Sequence, residues 1–318
     1  MKNIYSNIYK PNYKNLKKAK KNIENNVLIG MPTETVYGLA GNAFSNIAIS
    51  KIYKLKNRPE INPIIIHFKN LNDVKKHAVI NDNFLKLYKA FCPGPITFVL
   101  KKKKESKVCE KALAGKKTIA VRIPKHRIAR KLLNILNTPI AAPSANISTK
   151  LSPTSASDVV EEFQNKINFI LDGGQCKIGL ESTIIDLTNQ PSILRPGSIT
   201  HEKIKKILKK KIICKKKIKK ISSPGQLKFH YSPGIPVILN KNFPKKNSAF
   251  LTFGKEFKSK KNYFNLSKRG NLQEAANNLY KTMRKIKKQK FKSITVCKIP
   301  NIDIGQAIND RLKKASFK

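Results

Sequence analysis

Met31-Pro-Thr-Glu-Thr-Val-Tyr-Gly-Leu39 places two threonine hydroxyls, a carboxylate, a phenol and a glycine directly after an apolar segment, Val27 to Gly30. Polar groups beside a core need partners or a ligand, because an unpaired buried polar group is costly. Gly38 and Gly41 permit tight turns ahead of an apolar helix spanning Asn46 to Lys56. The stretch therefore reads as a strand-to-helix loop, the place where open α/β sheets bind ligands.

Moving outward, Lys56-Asn-Arg58-Pro-Glu-Ile-Asn62-Pro63 leads into an apolar run closed by His67. Further blocks follow in order: Cys92-Pro-Gly-Pro-Ile-Thr97, Thr118-Ile-Ala-Val-Arg122-Ile-Pro124, Ala142-Pro-Ser144-Ala-Asn146, Ser152-Pro-Thr154, Glu181-Ser182-Thr-Ile-Ile-Asp186 and Leu194-Arg195-Pro-Gly197. Any one could be accidental, but the ordered series resembles the YrdC-type family of threonylcarbamoyl-adenylate synthases. A later stretch, Pro224-Gly225 followed by His230-Tyr231-Ser-Pro233, and the ending Ala307-Ile-Asn-Asp-Arg311-Leu312, resemble the longer two-domain form of that family.

The 318 residues exceed the usual single-domain size, so one large and one smaller domain are expected. Alternating apolar strands and amphipathic helices predict an α/β fold. Strands are expected at Val27–Gly30, Ile64–Phe68, Ile96–Lys101, Thr118–Ile123, Phe169–Leu171, Ser182–Leu187 and Ser192–Arg195; helices at Asn46–Lys56, Asn83–Phe91, Arg127–Leu136, Ser155–Phe163 and His201–Lys210. A second α/β unit follows, with strands near Pro236–Leu239, Ala249–Thr252 and Ser293–Lys298 and helices at Leu272–Lys287 and Gly305–Lys314. The expected division is a catalytic domain over 1–210, a proline-rich linker over 211–234, and a small C-terminal domain over 235–318. The resemblance implies a YrdC-like twisted open sheet with helices around a large cationic cavity, a linker folding over it, and a Rossmann-like C-terminal unit.

Lysine and arginine number 66 against 18 acidic residues, a net charge of +48. Lysine, asparagine and isoleucine all abound, and A/T-rich codons specify all three, so base composition alone accounts for most lysines. Runs such as Lys101–Lys104, Lys209–Lys220 and Lys285–Lys290 read as solvated faces. A field this positive still concentrates anions and favours loose, salt-sensitive contact with RNA. No base-reading motif accompanies it. The five cysteines are scattered without metal-ligand spacing and read as buried thiols in a reducing compartment. No apolar run approaches the ~20 residues that span a bilayer, which predicts a cytoplasmic protein without membrane contact.

The resemblance implies that L-threonine, bicarbonate and ATP give threonylcarbamoyl-adenylate and pyrophosphate, the product passing to the machinery that threonylcarbamoylates tRNA. Substrates carrying a carboxylate, a carbamate and a triphosphate need cations, hydroxyls and backbone N–H groups more than a nucleophile. This sequence supplies that set and lacks the nucleophile elbow, Walker loop and kinase signatures. Carried over residue by residue, Lys56 and Arg58 are implied at the triphosphate as catalytic cations, where the plainer reading is two charges at a helix end. Threonine is implied at Thr35, His67, Arg122, Ala142 and Ser182, with Tyr37 shaping the same wall. ATP is implied at Arg58, Asn62, Thr118, Ser144, Ser152, Arg195, His230 and Tyr231. A lone histidine closing an apolar strand is more often a satisfied core residue, and only the motif lifts His67. Thr118 and Arg122, four apart in a strand, face the same way, and an arginine among apolar neighbours requires an anion.

Magnesium is implied as the companion of ATP, held mainly by phosphates and water, with no dedicated metal site; Glu34 and Glu181 are the nearby carboxylates. The sequence departs from the family pattern at Asn57 and Ala40, where glycine is common, and at Ser148-Thr-Lys-Leu151, which makes the loops near the nucleotide harder to foresee. Two alternatives stand beside this reading. One is another carbamoyl-adenylate-forming relative, as in hydrogenase maturation, though this chain lacks the acyl-phosphatase and zinc-finger regions of such proteins. The other is a non-catalytic double-stranded RNA-binding module.

Overall fold

The computed structural model describes residues 4–214 and 230–316. Most of the expected linker, 215–229, lies outside the described residues.

The larger sheet contains β1 (Ile8–Tyr9), β2 (Ile29–Met31), β3 (Gly38–Asn42), β4 (Ile65–His67), β5 (Ile96–Lys101), β6 (Thr118–Arg122), β7 (Ile140–Ala141), β8 (Ile170–Leu171), β9 (Thr183–Asp186), β10 (Ser192–Arg195) and β11 (Ile213–Cys214). Their spatial order is β1-β8-β2-β3-β7-β4-β6-β5-β9-β10-β11. Pairing is mixed: β2 and β3 run antiparallel, as do β5 and β6, whereas β4 lies parallel to β6 and β5 to β9. The sheet is flanked by α1 (Tyr13–Glu24), α2 (Asn46–Lys56), α3 (Leu71–His77), α4 (Asp82–Phe91), α5 (Arg127–Ile135), α6 (Ala156–Phe163) and α7 (His201–Leu208).

Local chemistry sets these boundaries. The Ser45 hydroxyl caps α2 at the Ala48 N–H, and the helix ends at Asn57 with φ +48°, a left-handed turn that glycine or asparagine tolerates best. That explains why asparagine can stand where the family has glycine. Ser155 and Asp158 close a reciprocal capping box on α6.

The opening stretch differs from expectation. It is not a strand-to-helix loop: Gly38 begins β3, which returns antiparallel along β2 with Met31 opposite Gly38 and Ile29 opposite Ala40. Gly38 and Gly41 are therefore strand residues that allow close packing. A Cβ at Gly38 would stand 3.1 Å from the Ala142 Cβ, and one at Gly41 would stand 2.9 Å from the Leu28 side chain. The polar segment from Pro32 to Tyr37 is the β2–β3 connection.

The smaller sheet, β12 (Val237–Ile238), β13 (Ser248–Thr252), β14 (Tyr263–Asn265) and β15 (Ser293–Val296), has the order β12-β15-β13-β14 and is parallel throughout. With α8 (Leu272–Lys288) and α9 (Gly305–Ser316) it forms the expected Rossmann-like α/β unit. Its core extends into the larger unit, since Val36, Leu151 and Leu180 pack in the same apolar cluster as Leu279, Tyr280 and Ile308. At Gly179, φ is +77° and a Cβ would meet the Asn277 backbone at 2.7 Å, so helix α8 can dock only against glycine. Among the described residues no helix is long and apolar enough to cross a membrane.

Candidate active site

A cleft of about 560 Å³, open solvent at its mouth included, lies where the β2–β3 connection, the ends of β4 and β6, the loop after β7 and the His230–Tyr231 segment converge. The β2–β3 connection is fixed from within. The Thr33 hydroxyl donates to the Val36 carbonyl at 2.6 Å, accepts from the N–H groups of Thr35 and Val36, and lies 2.8 Å from the Thr35 hydroxyl. Tyr37 lines the wall with its ring, while its hydroxyl donates to the Gly174 carbonyl and accepts from the Gly173 N–H.

His67 and Arg122 are direct cross-strand partners on β4 and β6, and both line the cleft. Glu34 accepts from Arg122 Nη2 at 2.7 Å and from the Lys125 and His126 N–H groups, which fixes the guanidinium. Burial alone would raise the Glu34 carboxyl, but Arg122 and these donors outweigh it and hold it below the usual carboxylate range. For His67, burial and then the Arg122 charge push the pKa down to about 3, with the Ile65 and Ile140 carbonyls acting weakly the other way. The imidazole is neutral, and among the described residues neither ring nitrogen makes a hydrogen bond of ordinary length and angle.

Thr35, Arg58, Ala142, Ser144, Arg195, His230 and Tyr231 complete the part of the lining that the motifs indicate. Arg58 bonds through Nε to the Asn62 carbonyl and through Nη2 to the Pro63 carbonyl. Burial pulls its pKa down to about 10, so it stays charged at neutral pH. Arg195 donates from Nε to the Ser182 carbonyl and from Nη2 to the Ser182 hydroxyl. His230 is held neutral, at about 3, chiefly by burial. Its Nδ1 accepts from the N–H of Tyr231.

Five motif residues lie elsewhere. Lys56 is 1% exposed, and its ammonium donates to the carbonyls of Ser144 and Asn146, behind the wall. Its pKa is driven well down by burial and then by Arg58. Asn62 sits under Arg58. Ser152 is fully buried and donates at 2.5 Å to Glu181, while the Ser182 hydroxyl is shared between Arg195 and Thr97. Thr118 begins β6, about 13 Å of strand away from Arg122, and does not line the cleft.

Glu181 lines the cleft but is enclosed by donors: Ser152, Tyr280 at 3.1 and 3.2 Å, and Arg311 Nε at 2.8 Å. Arg311 and Arg195 overcome its burial and hold it at about 2. Sequence reasoning did not foresee this long-range cluster. Its trace is Arg311 itself, which falls on the apolar side of α9 with Ile308, Leu312 and Ala315. Glu181 in the lining and Glu34 behind Arg122 are thus both committed to arginines, and among the described residues no group of three metal-ligating side chains occurs.

Comparison with known proteins places the chain. Residues 21–197 match the Sua5_yciO_yrdC family model, described as "Telomere recombination", and residues 199–316 match a model described as "Threonylcarbamoyl-AMP synthase, C-terminal domain". A threonylcarbamoyl-AMP synthase from Pyrococcus abyssi is 37% identical over 311 residues, covering 91% of this chain and 90% of the relative. A protein of the same name from Bacillus subtilis is 32% identical, with 92% and 90% covered. The crystal structure of P. abyssi Sua5 complexed with L-threonine superposes with a TM-score of 0.88 at 34% identity, covering 97% of this chain and 96% of that one. Escherichia coli YciO, at 23% identity and a TM-score of 0.53, shares the fold of the larger unit over 60% of the chain. From its first sheet to its last helix, the chain belongs to the two-domain branch of the Sua5/YciO/YrdC family.

Proposed function

We propose that this chain is a threonylcarbamoyl-AMP synthase that converts L-threonine, bicarbonate and MgATP to threonylcarbamoyl-adenylate and pyrophosphate in the cytoplasm. One observation carries the reading. Buried polar atoms without hydrogen-bond partners among the described residues, both His67 ring nitrogens, Arg122 Nε and the Tyr231 hydroxyl, belong to residues lining a single cleft with Arg58 and Arg195. Such atoms favour a polar, anionic ligand.

Arg122, held by Glu34, binds the threonine carboxylate, with neutral His67, Thr35 and Ala142 around the rest of the amino acid. Arg58 and Arg195 face the triphosphate, His230 and Tyr231 cover the nucleotide from the linker side, and Ser144 completes its wall. Lys56, Asn62, Ser152 and Ser182 act one layer back by fixing those groups, and Thr118 stands apart from the reacting centre. The threonine amine condenses with bicarbonate to a carbamate, releasing water. A carbamate oxygen then attacks the α-phosphorus: that O–P bond forms, the bond to the β-phosphate bridge breaks, and pyrophosphate carries away the electron pair. Among the lining residues no hydroxyl is paired with a histidine, consistent with direct attack and no covalent enzyme intermediate. Magnesium supplies charge neutralisation on the phosphates as part of the substrate. The adenylate passes to the tRNA threonylcarbamoyl-transferring machinery, and the net charge of +48 favours a loose, salt-sensitive contact with RNA there.

Thermal-shift measurements test the ligand assignment. Threonine and MgATP should each raise the melting temperature, and together more than either alone; no shift with threonine at saturating concentration contradicts it.

A further inference from the structure

The last helix reaches the cleft through one side chain, although it lies outside the cleft wall. Arg311 is fully buried; its Nε donates to Glu181 at 2.8 Å and its Nη1 to Asp310 at 2.7 Å. The guanidinium carbon also sits 5.2 Å from the centre of the Tyr231 ring, which is flanked as well by Tyr280, stacked at 5.9 Å, and by the His230 ring at 4.0 Å. Glu181 and Tyr231 both line the cleft, and Glu181 directly precedes Ser182, which holds Arg195. Helix α9 touches the same chain segment again where the His230 N–H donates to the Lys314 carbonyl at 3.3 Å.

We propose that Arg311 is a positioning residue for the nucleotide side of the site: it neutralises Glu181 so that Arg195 remains available to an anion, and it clamps the Tyr231 ring. This rests on the proposed reading of the cleft. The argument is one of charge and geometry. A buried carboxylate takes the nearest cation, and Glu181 has two guanidinium groups competing for it. With Arg311 in place, Lys314 balances Asp310, and the cluster of Glu181, Asp310, Arg195, Arg311 and Lys314 keeps one positive charge in excess for phosphate. Without it, Arg195 closes on Glu181 and that charge is spent within the protein. Tyr231 has φ +63°, an uncommon backbone for a residue with a side chain, and the rings and guanidinium around it account for its being held there. The C-terminal unit thereby contributes to nucleotide affinity without touching the nucleotide.

Full-length Arg311→Lys and Tyr280→Phe test this, with MgATP and threonine affinities measured separately by calorimetry. Lysine keeps the charge but loses the fork; phenylalanine removes only the hydroxyl that donates to Glu181. The expected result is an MgATP Kd raised about tenfold in Arg311→Lys and less in Tyr280→Phe, with the threonine Kd within about twofold of the parent, a split that a general loss of structure does not produce. An unchanged MgATP Kd in folded Arg311→Lys overturns the proposal, as does an equal loss of both affinities. Should Arg311→Lys not fold, an unchanged MgATP Kd in Tyr280→Phe overturns it. If the parent binds both ligands yet releases no pyrophosphate, the reaction assigned to the cleft is wrong while the comparison of dissociation constants still decides the role of Arg311.

Discussion

His67 and Arg122 stand opposite each other on paired strands, one neutral and without a hydrogen-bond partner among the described residues, the other charged and pinned by Glu34. The pairing makes a half-finished polar surface. Replacing His67 by alanine should weaken threonine binding about tenfold or more, the scale of one lost hydrogen bond to a charged or polar ligand group, with MgATP affinity nearly unchanged. Calorimetry with each ligand separates the two; equal losses would remove His67 from the threonine subsite.

Glu34 gives a second prediction. Its ion pair with Arg122 is almost wholly buried, so Glu34→Gln leaves the guanidinium without its counter-charge. Breaking such a pair costs about 3–5 kcal/mol when one partner is removed outright. The glutamine variant should lose part of this in denaturant unfolding. Its threonine KM should also rise, because Arg122 is no longer held in place. Unaltered stability and KM together would contradict the geometry.

Among the described residues, Arg58 hydrogen-bonds to the Asn62 and Pro63 carbonyls and neighbours the Tyr53 hydroxyl rather than a carboxylate. Arg58→Ala should therefore fold, since no buried carboxylate is abandoned, but lose ATP use by about a hundredfold or more, as expected for a charged group facing phosphate. A folded variant with normal ATP kinetics would exclude Arg58 from the triphosphate.

The buried histidines set a pH dependence. His67 and His230 fall from the ordinary 6.5 to about 3 in the folded protein, so between those values the unfolded chain binds more protons and stability rises with pH. Their contribution is fully present above pH 6.5 and is lost as pH falls toward 3. Each adds a slope approaching ~1.4 kcal/mol per pH unit in that window. His77 and His126, also lowered by burial, act in the same direction. The urea midpoint should drop between pH 7 and about 5.5, a range in which Glu34 and Glu181 stay almost wholly ionised in the unfolded chain, and His230→Asn should flatten the drop. A midpoint constant over that range would contradict a buried neutral pair.

Gly179 carries the docking of α8. Gly179→Ala forces a Cβ into the Asn277 backbone at a positive φ and should destabilise the protein by at least about 1–3 kcal/mol. Alanine at Gly270, also at positive φ but with nothing within 4 Å, should cost less. Thermal melts of the two variants give the comparison.

Much of this architecture was legible in the sequence where local signals suffice. The helix at Asn46–Lys56 carries its own caps, and the strands at Ile96–Lys101 and Ser192–Arg195 are apolar runs closed by charge. Strand β3 was not, because Gly-Leu-Ala-Gly-Asn has turn composition and becomes a strand only through pairing with β2 and β7. The two-residue β7 and the short α3 are too brief to show a period. In the site, Arg122 was visible because a charge among apolar neighbours demands an anion, whereas Arg58, Arg195 and His67 stood out only through the motifs that contain them. Lys56 was read as reaching a phosphate, whereas the fold turns its ammonium onto two carbonyls. No local pattern specifies which carbonyls lie 88 and 90 residues away. The Glu181–Arg311 pair is separated by 130 residues and is likewise a product of tertiary packing.

The most direct measurement is pyrophosphate release from ATP by the full-length protein with threonine and bicarbonate supplied or withheld in turn. The account predicts release that requires both, with little when either is absent. Release indifferent to threonine and bicarbonate, or none while both threonine and MgATP bind, would contradict it.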